Sequence, residues 1–274
     1  MHRVILAVQY IKMSTNALKI LALLCMVFDH IGEFYLQSPI WFRYIGRLSA
    51  PLFFYCSAWG FYHTSNRKKY LVRLYLLGIL MSIGNIVISF LVKKETVVSN
   101  NIFVTLFLGC MIVSLLDKKN TNKENHKWLV VIAAQQIIAF VLCVIFAELL
   151  QIPGFVDTYM LYYGYGSLFG SAIFTEGSIW FVLFFVVLYF LKDKKICLSV
   201  FVLSFTLILE LLIRRTYYMR GPASYLVPFP RFQWLMILVI PFLWTYNGKR
   251  GKGMKWFYYL FYPLHIWILY IVSK

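Results

Sequence analysis

Long apolar segments separated by short polar loops recur from one end of the chain to the other. Most are close to 20 residues long, the length that an α-helix needs to cross the hydrocarbon core of a bilayer. The pattern predicts nine helices, over residues 17–36, 40–62, 70–92, 101–116, 128–150, 177–191, 196–213, 231–246 and 255–273. We therefore expect an all-α fold, a polytopic transmembrane bundle that forms a single domain over residues 1–274.

The aromatic segment 155–174, which contains three glycines, fits this pattern less well. It is predicted to be an interfacial or re-entrant segment, or a short additional span that would bring the number of spans to ten. Composition agrees with a chain that lies mostly in lipid, since 61% of its 274 residues are hydrophobic and the mean hydropathy is +0.74. The five cysteines lie in apolar segments without the spacing of metal ligands, so we expect buried thiols and no metal.

The formal net charge is +17, which in a soluble protein would suggest nucleic acid. Here the basic residues cluster in short loops between predicted spans, where they set orientation instead, and no nucleic-acid partner is expected. The positive-inside rule predicts a cytoplasmic N-terminus, an external C-terminus and an external loop at 151–176, which has no Lys or Arg. A multi-pass protein of a bacterial inner or plasma membrane is the resulting prediction.

Ionisable side chains interrupt the apolar stretches of the first and last predicted spans. At 1.5 Å of rise per residue, His30 lies about 18 Å into the first span and His265 about 15 Å into the last one, which runs in the same direction. The two histidines are therefore predicted to lie at similar depth. Asp29 and Glu33 share a helix face, whereas His30 points about 100° away from Asp29. Such groups are costly in lipid unless they are paired or hydrated, so they are candidates for function.

Structural roles compete with these functional ones. Asp29 and Arg47, which lies in the outer half of the second span, could form a buried ion pair without any chemistry. His265 could hydrogen-bond the carbonyl of Tyr259, because Pro263 supplies no N–H to that carbonyl.

Four stretches together resemble one family: DHIG at 29–32, GRLSAPLFFYCSAWGFYHTSNRKKYLVRL at 46–74, NIFVTLFLG at 101–109 and YNGKRGKGMKWFYYLFYPLHIWILY at 246–270. They are similar to the TraX family of integral-membrane acetyltransferases, named for the enzyme that acetylates the N-terminus of F-type conjugative pilin. The resemblance implies transfer of an acetyl group from cytosolic acetyl-CoA to an acceptor at or across the membrane. It leaves the acceptor open, as a peptide N-terminus or a glycan.

Acetyl transfer needs a base or nucleophile, and His30 is the first candidate for either role, with Asp29 tuning its protonation. His265 is a second catalytic candidate. Arg47, Asn101 and Thr105 are candidate donors to the oxyanion or carbonyl oxygen. Together with Glu33, Asn101 and Thr105 are also candidate substrate contacts.

Basic side chains at the predicted cytoplasmic face suit the phosphates of acetyl-CoA. The candidates are His63, Arg67, Lys68, Lys69, Arg73, Lys249, Arg250 and Lys252. The alternative is that these charges only set the membrane topology.

Arginines on the predicted external side break the positive-inside rule. Arg214, Arg215, Arg220 and Arg231 flank the segment GPASYLVPFP. They are predicted to bind an anionic acceptor through bidentate contacts, or else to anchor the chain to anionic lipid.

Two other classes of protein remain compatible with the sequence. In a transporter or channel, Asp29, His30, Glu33 and His265 would form a proton or substrate path. In a scaffolding subunit they would carry no chemistry at all.

Overall fold

The computed structural model describes residues 12–35, 37–94, 98–117, 125–149, 158–216 and 226–273. In these ranges the regular secondary structure is helical, apart from one isolated parallel β-bridge between Met13 and Tyr246. The α-helices are α1 (Thr15–Phe34), α2 (Trp41–Gly46), α3 (Ser49–Tyr62), α4 (Arg67–Val92), α5 (Ile102–Leu116), α6 (Asn125–Leu149), α7 (Thr158–Phe169), α8 (Ser178–Leu191), α9 (Lys195–Thr216), α10 (Ile240–Trp244) and α11 (Lys255–Val272), and a 3-10 helix covers Gln233–Val239.

Each of the nine predicted segments contains helix, but two of them are not continuous α-helices. The second segment is broken between α2 and α3, and the eighth consists of the 3-10 helix followed by α10. Proline explains both interruptions, because it has no N–H to donate four residues back. Pro51 therefore cannot bond the carbonyl of Arg47, and Pro241 cannot bond that of Ile237. The segment 155–174, predicted to be interfacial, re-entrant or a short span, contains the short helix α7, and its residues 155–157 lie outside the described ranges.

Within the described ranges three helices are long and apolar enough to cross a membrane, namely Arg67–Val92, Lys127–Leu149 and Lys195–Thr216. On α4 the exposed apolar side chains form one stripe at helical spacing, with Leu76, Leu80, Ile83, Val87 and Leu91. An exposed apolar stripe of this kind is what a lipid-facing surface requires. The larger number of nine spans stays a prediction, as does the orientation in the membrane.

The cysteines follow the expectation of buried thiols with one exception. Cys25, Cys56, Cys110 and Cys143 are buried, whereas Cys197 is exposed. Cys197 lies on α9, whose apolar side chains are themselves partly exposed, so an apolar position in this helix does not imply a position inside the protein.

The chain divides into two compact units. The first unit comprises residues 1–63, 187–217 and 229–274, in which α1 packs against α2, α3 and α11 while α9 packs against the 3-10 helix and α10. The second unit comprises residues 64–186 and 218–228, in which α4 packs against α5 and α7 while α6 packs against the same two helices.

The start of α1 is fixed by the loop that precedes α11. Ser14 caps the helix, with its Oγ accepting from the backbone N–H of Ala17 at 3.3 Å. The next two donors are satisfied from a distant part of the chain, because the N–H of Thr15 bonds the carbonyl of Lys249 at 2.9 Å and that of Asn16 bonds the carbonyl of Arg250 at 3.1 Å. The first-turn donors that a helix leaves unpaired are thus used within the first unit.

Candidate functional site

Two histidines from opposite ends of the chain meet in the first unit. Nδ1 of His30, on α1, lies 2.8 Å from Nε2 of His265, on α11. Both side chains are buried, with exposed fractions of 4% and 7%. The packing of α1 against α11 brings these two side chains, which were predicted to lie at similar depth, into a direct hydrogen bond.

The second ring nitrogen of His265 fixes the direction of this hydrogen bond. Nδ1 of His265 lies 2.8 Å from the backbone carbonyl of Phe261, and a carbonyl can only accept, so this nitrogen carries a proton. In a neutral ring Nε2 of His265 is then the acceptor, and Nδ1 of His30 must donate to it. A neutral His30 therefore has an unprotonated Nε2, the form that a general base or a nucleophile requires.

The expected partner of His265 is corrected by this geometry. The ring bonds the carbonyl of Phe261, four residues before it on the same helix, rather than that of Tyr259. The imidazole also stacks on the Phe261 ring, at 5.1 Å between centroids and 12° between planes. His30 stacks likewise on Phe34, at 6.2 Å and 26°. Aromatic rings thus hold the orientation of both imidazoles.

A network of ion pairs joins α1 to α2 on another face of α1. Nη2 of Arg47 contacts both carboxylate oxygens of Asp29. Nη1 of Arg43 lies 3.0 Å from Oδ1 of Asp29 and 2.8 Å from Oε2 of Glu33. Asp29 and Glu33 thus share a face and a partner, as their spacing predicts. Asp29 faces these arginines while His30 faces His265, so the two adjacent residues serve separate contacts.

A glutamine that the sequence analysis missed completes the environment of Arg47. Nη1 of Arg47 donates to Oε1 of Gln233 at 2.9 Å, and the guanidinium lies over the ring of Phe232. Gln233 is 2% exposed and begins the 3-10 helix. The signal available in the sequence was an uncharged polar residue in the apolar segment 231–246, and it could have been weighed as Asn101 was.

Two glycines allow the close approach of α1 and α2. A Cβ added at Gly46 would lie 2.3 Å from Cβ of Asp29, and one added at Gly32 would lie 2.8 Å from Cδ of Arg43. At Gly46 the obstructing atom is Cβ of Asp29, which moves only with α1, whereas at Gly32 the Arg43 side chain would have to shift. The glycine of DHIG and the glycine before Arg47 therefore have a packing reason to be there.

Four of the predicted phosphate-binding residues lie in the first unit. Lys249, Arg250 and Lys252 are exposed on the loop that precedes α11. His63 is also exposed, and it stacks on Trp59 at 5.6 Å between centroids and 15° between planes. The backbone of this loop is fixed on the start of α1, so its basic side chains project from an anchored segment.

The other four lie in the second unit, near the start of α4. Arg67 pairs with Asp117, with Nη2 and Oδ2 2.5 Å apart. Lys68 and Lys69 are exposed, and Arg73 is half-buried. Arg67 thus has a structural partner, while binding of phosphate by this group stays a prediction.

Asn101 and Thr105 are also in the second unit, at the start of α5, and their hydrogens are taken up there. Nδ2 of Asn101 bonds the carbonyl of Gly78 at 2.8 Å and the hydroxyls of Ser82 and Ser167 at 2.9 and 3.1 Å. Thr105 bonds the hydroxyl of Thr175 at 3.0 Å and the carbonyl of Glu176 at 2.8 Å. These contacts give both residues a structural role, and their contact with substrate stays a prediction.

The predicted acceptor-binding arginines are only partly described. Arg214 is exposed, and its Nε bonds Oε1 of Glu210 one helical turn earlier at 2.8 Å. Arg215 and Arg231 are exposed as well. Arg220, with the rest of 217–225, lies outside the described residues. Within the described ranges no three His, Cys, Asp or Glu side chains gather as a metal site would require.

Taken together, these features define a helical membrane protein with a buried histidine pair and an ion-pair network beside it. Residues 14–273 match the family model described as TraX protein, so the chain belongs to the TraX family. It is also 26% identical over 266 residues to "Probable fimbrial assembly protein FimC, serogroup H1" of Dichelobacter nodosus, an alignment that covers 94% of this chain and 95% of that protein. No solved structure matches. The family expected from the four sequence stretches is confirmed.

Proposed function

We propose that the protein is a membrane-embedded acetyltransferase, which moves an acetyl group from cytosolic acetyl-CoA to an amine or hydroxyl of a membrane-associated or extracytoplasmic acceptor. Membership of the TraX family supports the reaction class. The observation that carries the proposal is the hydrogen-bonded chain from His30 through His265 to the carbonyl of Phe261. It leaves Nε2 of His30 without a hydrogen-bond partner among the described residues, and therefore available for chemistry.

His30 acts through Nε2, either as a general base or as a nucleophile. As a base it takes the proton of the attacking amine or hydroxyl, and it returns that proton to the thiolate when the carbon–sulfur bond breaks. As a nucleophile, Nε2 attacks the thioester carbon and the carbon–sulfur bond breaks to expel CoA as the thiolate. The acetyl group then passes from Nε2 to the amine or hydroxyl of the acceptor, which gives up one proton. In both cases His30 becomes positive during the reaction, and the Nδ1–H bond to His265 shares that charge between two rings.

His265 is a positioning residue in this scheme. The carbonyl of Phe261 holds its Nδ1 proton, which keeps Nε2 available as the acceptor for His30. The same arrangement of a reactive histidine oriented by a second group is the general logic of catalytic triads.

Asp29, Arg43, Arg47 and Glu33 hold the helix that carries His30. Both oxygens of Asp29 contact Arg47. This carboxylate therefore acts on His30 by fixing the position of α1 and by its electrostatic field, without a direct hydrogen bond. We assign the stabilisation of a developing oxyanion to Arg47, because it is a largely buried cation that contacts Asp29, the residue next to His30.

The name of the Dichelobacter relative supports a peptide acceptor. That protein is named for fimbrial assembly, and an acetyl group on a fimbrial subunit would enter at its amino terminus or at a side-chain hydroxyl. We therefore place a peptide N-terminus before a glycan as the acceptor class.

A proton-conducting transporter is less well supported by the same hydrogen bonds. A proton path needs groups that both accept and release protons in series. The chain from His30 ends on the backbone carbonyl of Phe261, which cannot pass a proton onward.

Acetyl transfer can be tested before the acceptor is known, by following release of the free thiol from acetyl-CoA with protein purified in neutral-lipid nanodiscs. Wild type is expected to release CoA, and His30→Ala is expected to be slower by at least about 10²-fold. His126→Ala, which changes a histidine to which we assign no role, is the matched control and should keep the wild-type rate. Undiminished turnover by folded His30→Ala would remove His30 from the mechanism.

A further inference from the structure

A lysine shares the helix face of His30. Lys19 precedes His30 by eleven residues on α1, which at 100° per residue places the two side chains within about 20° of one another, about 16 Å apart along the axis. On α11, Tyr258 precedes His265 by seven residues and also shares its face. Nζ of Lys19 lies 5.4 Å from the ring centroid of Tyr258. The seam between α1 and α11 thus joins a histidine pair at one end to a lysine–tyrosine pair at the other.

Several cationic residues belong to the segments that meet at the start of α1. Lys19 follows Asn16 by three residues on α1, and the backbone N–H of Asn16 bonds the carbonyl of Arg250 at 3.1 Å. Among the described residues, no acidic side chain forms an ion pair with Lys19, Lys249, Arg250 or Lys252. Cations held close together gain free energy when an anion binds between them.

Backbone hydrogen bonds hold the loop that carries Lys249 and Arg250 against the start of α1, the helix that carries Lys19. The carbonyls of Lys249 and Arg250 accept hydrogen bonds from Thr15 and Asn16 at the start of α1, and the hydroxyl of Tyr258 donates to Oδ1 of Asn16 at 2.7 Å. The first-turn N–H groups of α1 are used in these contacts and in the Ser14 cap. An anion here would therefore be bound by side chains, an arginine fork and lysine point charges, which is the chemistry that suits phosphate.

We propose that Lys19, Lys249, Arg250 and Lys252 form one site, the Lys19–Arg250 site, that binds the phosphate groups of the acetyl donor. The inference rests on the proposed function and adds Lys19, which composition and motif had not singled out. The pantetheine arm of CoA extends roughly 15–20 Å. With the phosphates at Lys19, an arm of this length brings the thioester to the depth of His30, about 16 Å farther along α1.

Calorimetric titration with CoA tests the site directly, with the full chain in nanodiscs of neutral phosphatidylcholine. Lys19→Met, which keeps an unbranched side chain, and Arg250→Gln are each expected to raise the Kd for CoA about 10-fold, since each removes a charged contact to phosphate. Lys19→Arg should retain most of the affinity. Lys255→Met removes an exposed charge that lies over Trp256, and as the matched control it should leave the Kd unchanged.

Pantetheine, which lacks the nucleotide phosphates, separates contacts to phosphate from general damage. Lys19→Met should weaken CoA binding while leaving the Kd for pantetheine as it is. Equal CoA affinity in folded wild type, Lys19→Met and Arg250→Gln would overturn the Lys19–Arg250 site without touching the role of His30. The Lys19–Arg250 site would also be overturned if Lys19→Met and Arg250→Gln bound phosphatidylglycerol vesicles less well than wild type but kept the wild-type affinity for CoA. The charges would then be assigned to lipid phosphate. A wild-type protein that binds no CoA would instead overturn the proposed function.

Discussion

Polar side chains in apolar helices are hydrogen-bonded differently in the two units. In the first unit His30 bonds His265, and this leaves one ring nitrogen of His30 outside the pair. In the second unit both hydrogens on Nδ2 of Asn101 and the hydroxyl of Thr105 are taken up by nearby carbonyls and hydroxyls. A polar residue in an apolar stretch of sequence is thus a candidate reactive group in the first unit. In the second unit it is part of a buried hydrogen-bond network.

The difference follows from what each side chain needs. The N–H groups of a buried amide and a buried hydroxyl can be paired with backbone carbonyls and neighbouring hydroxyls, and they then contribute stability. The pairing of Asn101 is limited to its Nδ2, since its Oδ1 is buried without a hydrogen-bond partner among the described residues. An imidazole has two nitrogens on opposite edges of the ring, so one contact orients it and the other nitrogen stays available. Substitutions that separate stability from chemistry therefore test whether the two units differ in this way.

The largest effect on stability is expected for Arg47→Ala in the first unit. Removing Arg47 leaves Asp29 with its remaining contact to Arg43, and Oε1 of Gln233 loses the hydrogen bond that Arg47 donates to it. The free energy of unfolding should therefore fall by about 3–5 kcal/mol. The double variant Asp29→Asn with Arg47→Ala should recover part of that loss, because the buried charge is gone. Thermal unfolding in detergent compares the two. If the double variant is no more stable than Arg47→Ala, an uncompensated charge is not the cause.

A smaller loss, about 1–3 kcal/mol, is expected for Gly46→Ala. The new Cβ would lie 2.3 Å from Cβ of Asp29, so α1 and α2 must move apart. Gly60→Ala is the matched control on α3, because a Cβ there meets nothing within 4 Å. Gly60→Ala should be neutral or slightly stabilising. Equal melting temperatures for the two variants would show that the helices do not depend on this close approach.

Asn101→Ala is expected to act on stability and not on chemistry. It removes the donor shared by Gly78, Ser82 and Ser167, and it should cost about 1–3 kcal/mol of unfolding free energy. The rate of thiol release per folded molecule should stay within about twofold of wild type, since a residue outside the reacting atoms does not change the transition state. A large fall in that rate without loss of stability would support Asn101 as a substrate contact. It would also show that the polar residues of the second unit are not purely structural.

Much of this arrangement could be predicted from local rules. Helix positions follow from the length of the apolar segments, the common depth of His30 and His265 from the rise per residue, and the shared face of Asp29 and Glu33 from their spacing. The breaks at Pro51 and Pro241 were also readable from the missing N–H of proline, although continuous helices were expected there.

Partners chosen by tertiary packing could not be predicted in this way. The bond from Arg47 to Gln233 and the contact of Gly46 with Asp29 depend on which helices are neighbours, and sequence spacing contains no information about that. The partner of His265 was misjudged for a related reason. The freed carbonyl of Tyr259 was the obvious acceptor, but the ring is oriented by stacking on Phe261 and bonds the carbonyl of that residue.

In the proposed mechanism His30 and His265 act as one catalytic unit. A double-mutant cycle measures this coupling, by comparing the rate of thiol release from acetyl-CoA in wild type, His30→Ala, His265→Ala and the combined variant. If His265 works through His30, His265→Ala should slow wild type but should not slow the His30→Ala protein any further. Losses that simply multiply in the combined variant would contradict the account, because the two histidines would then contribute independently.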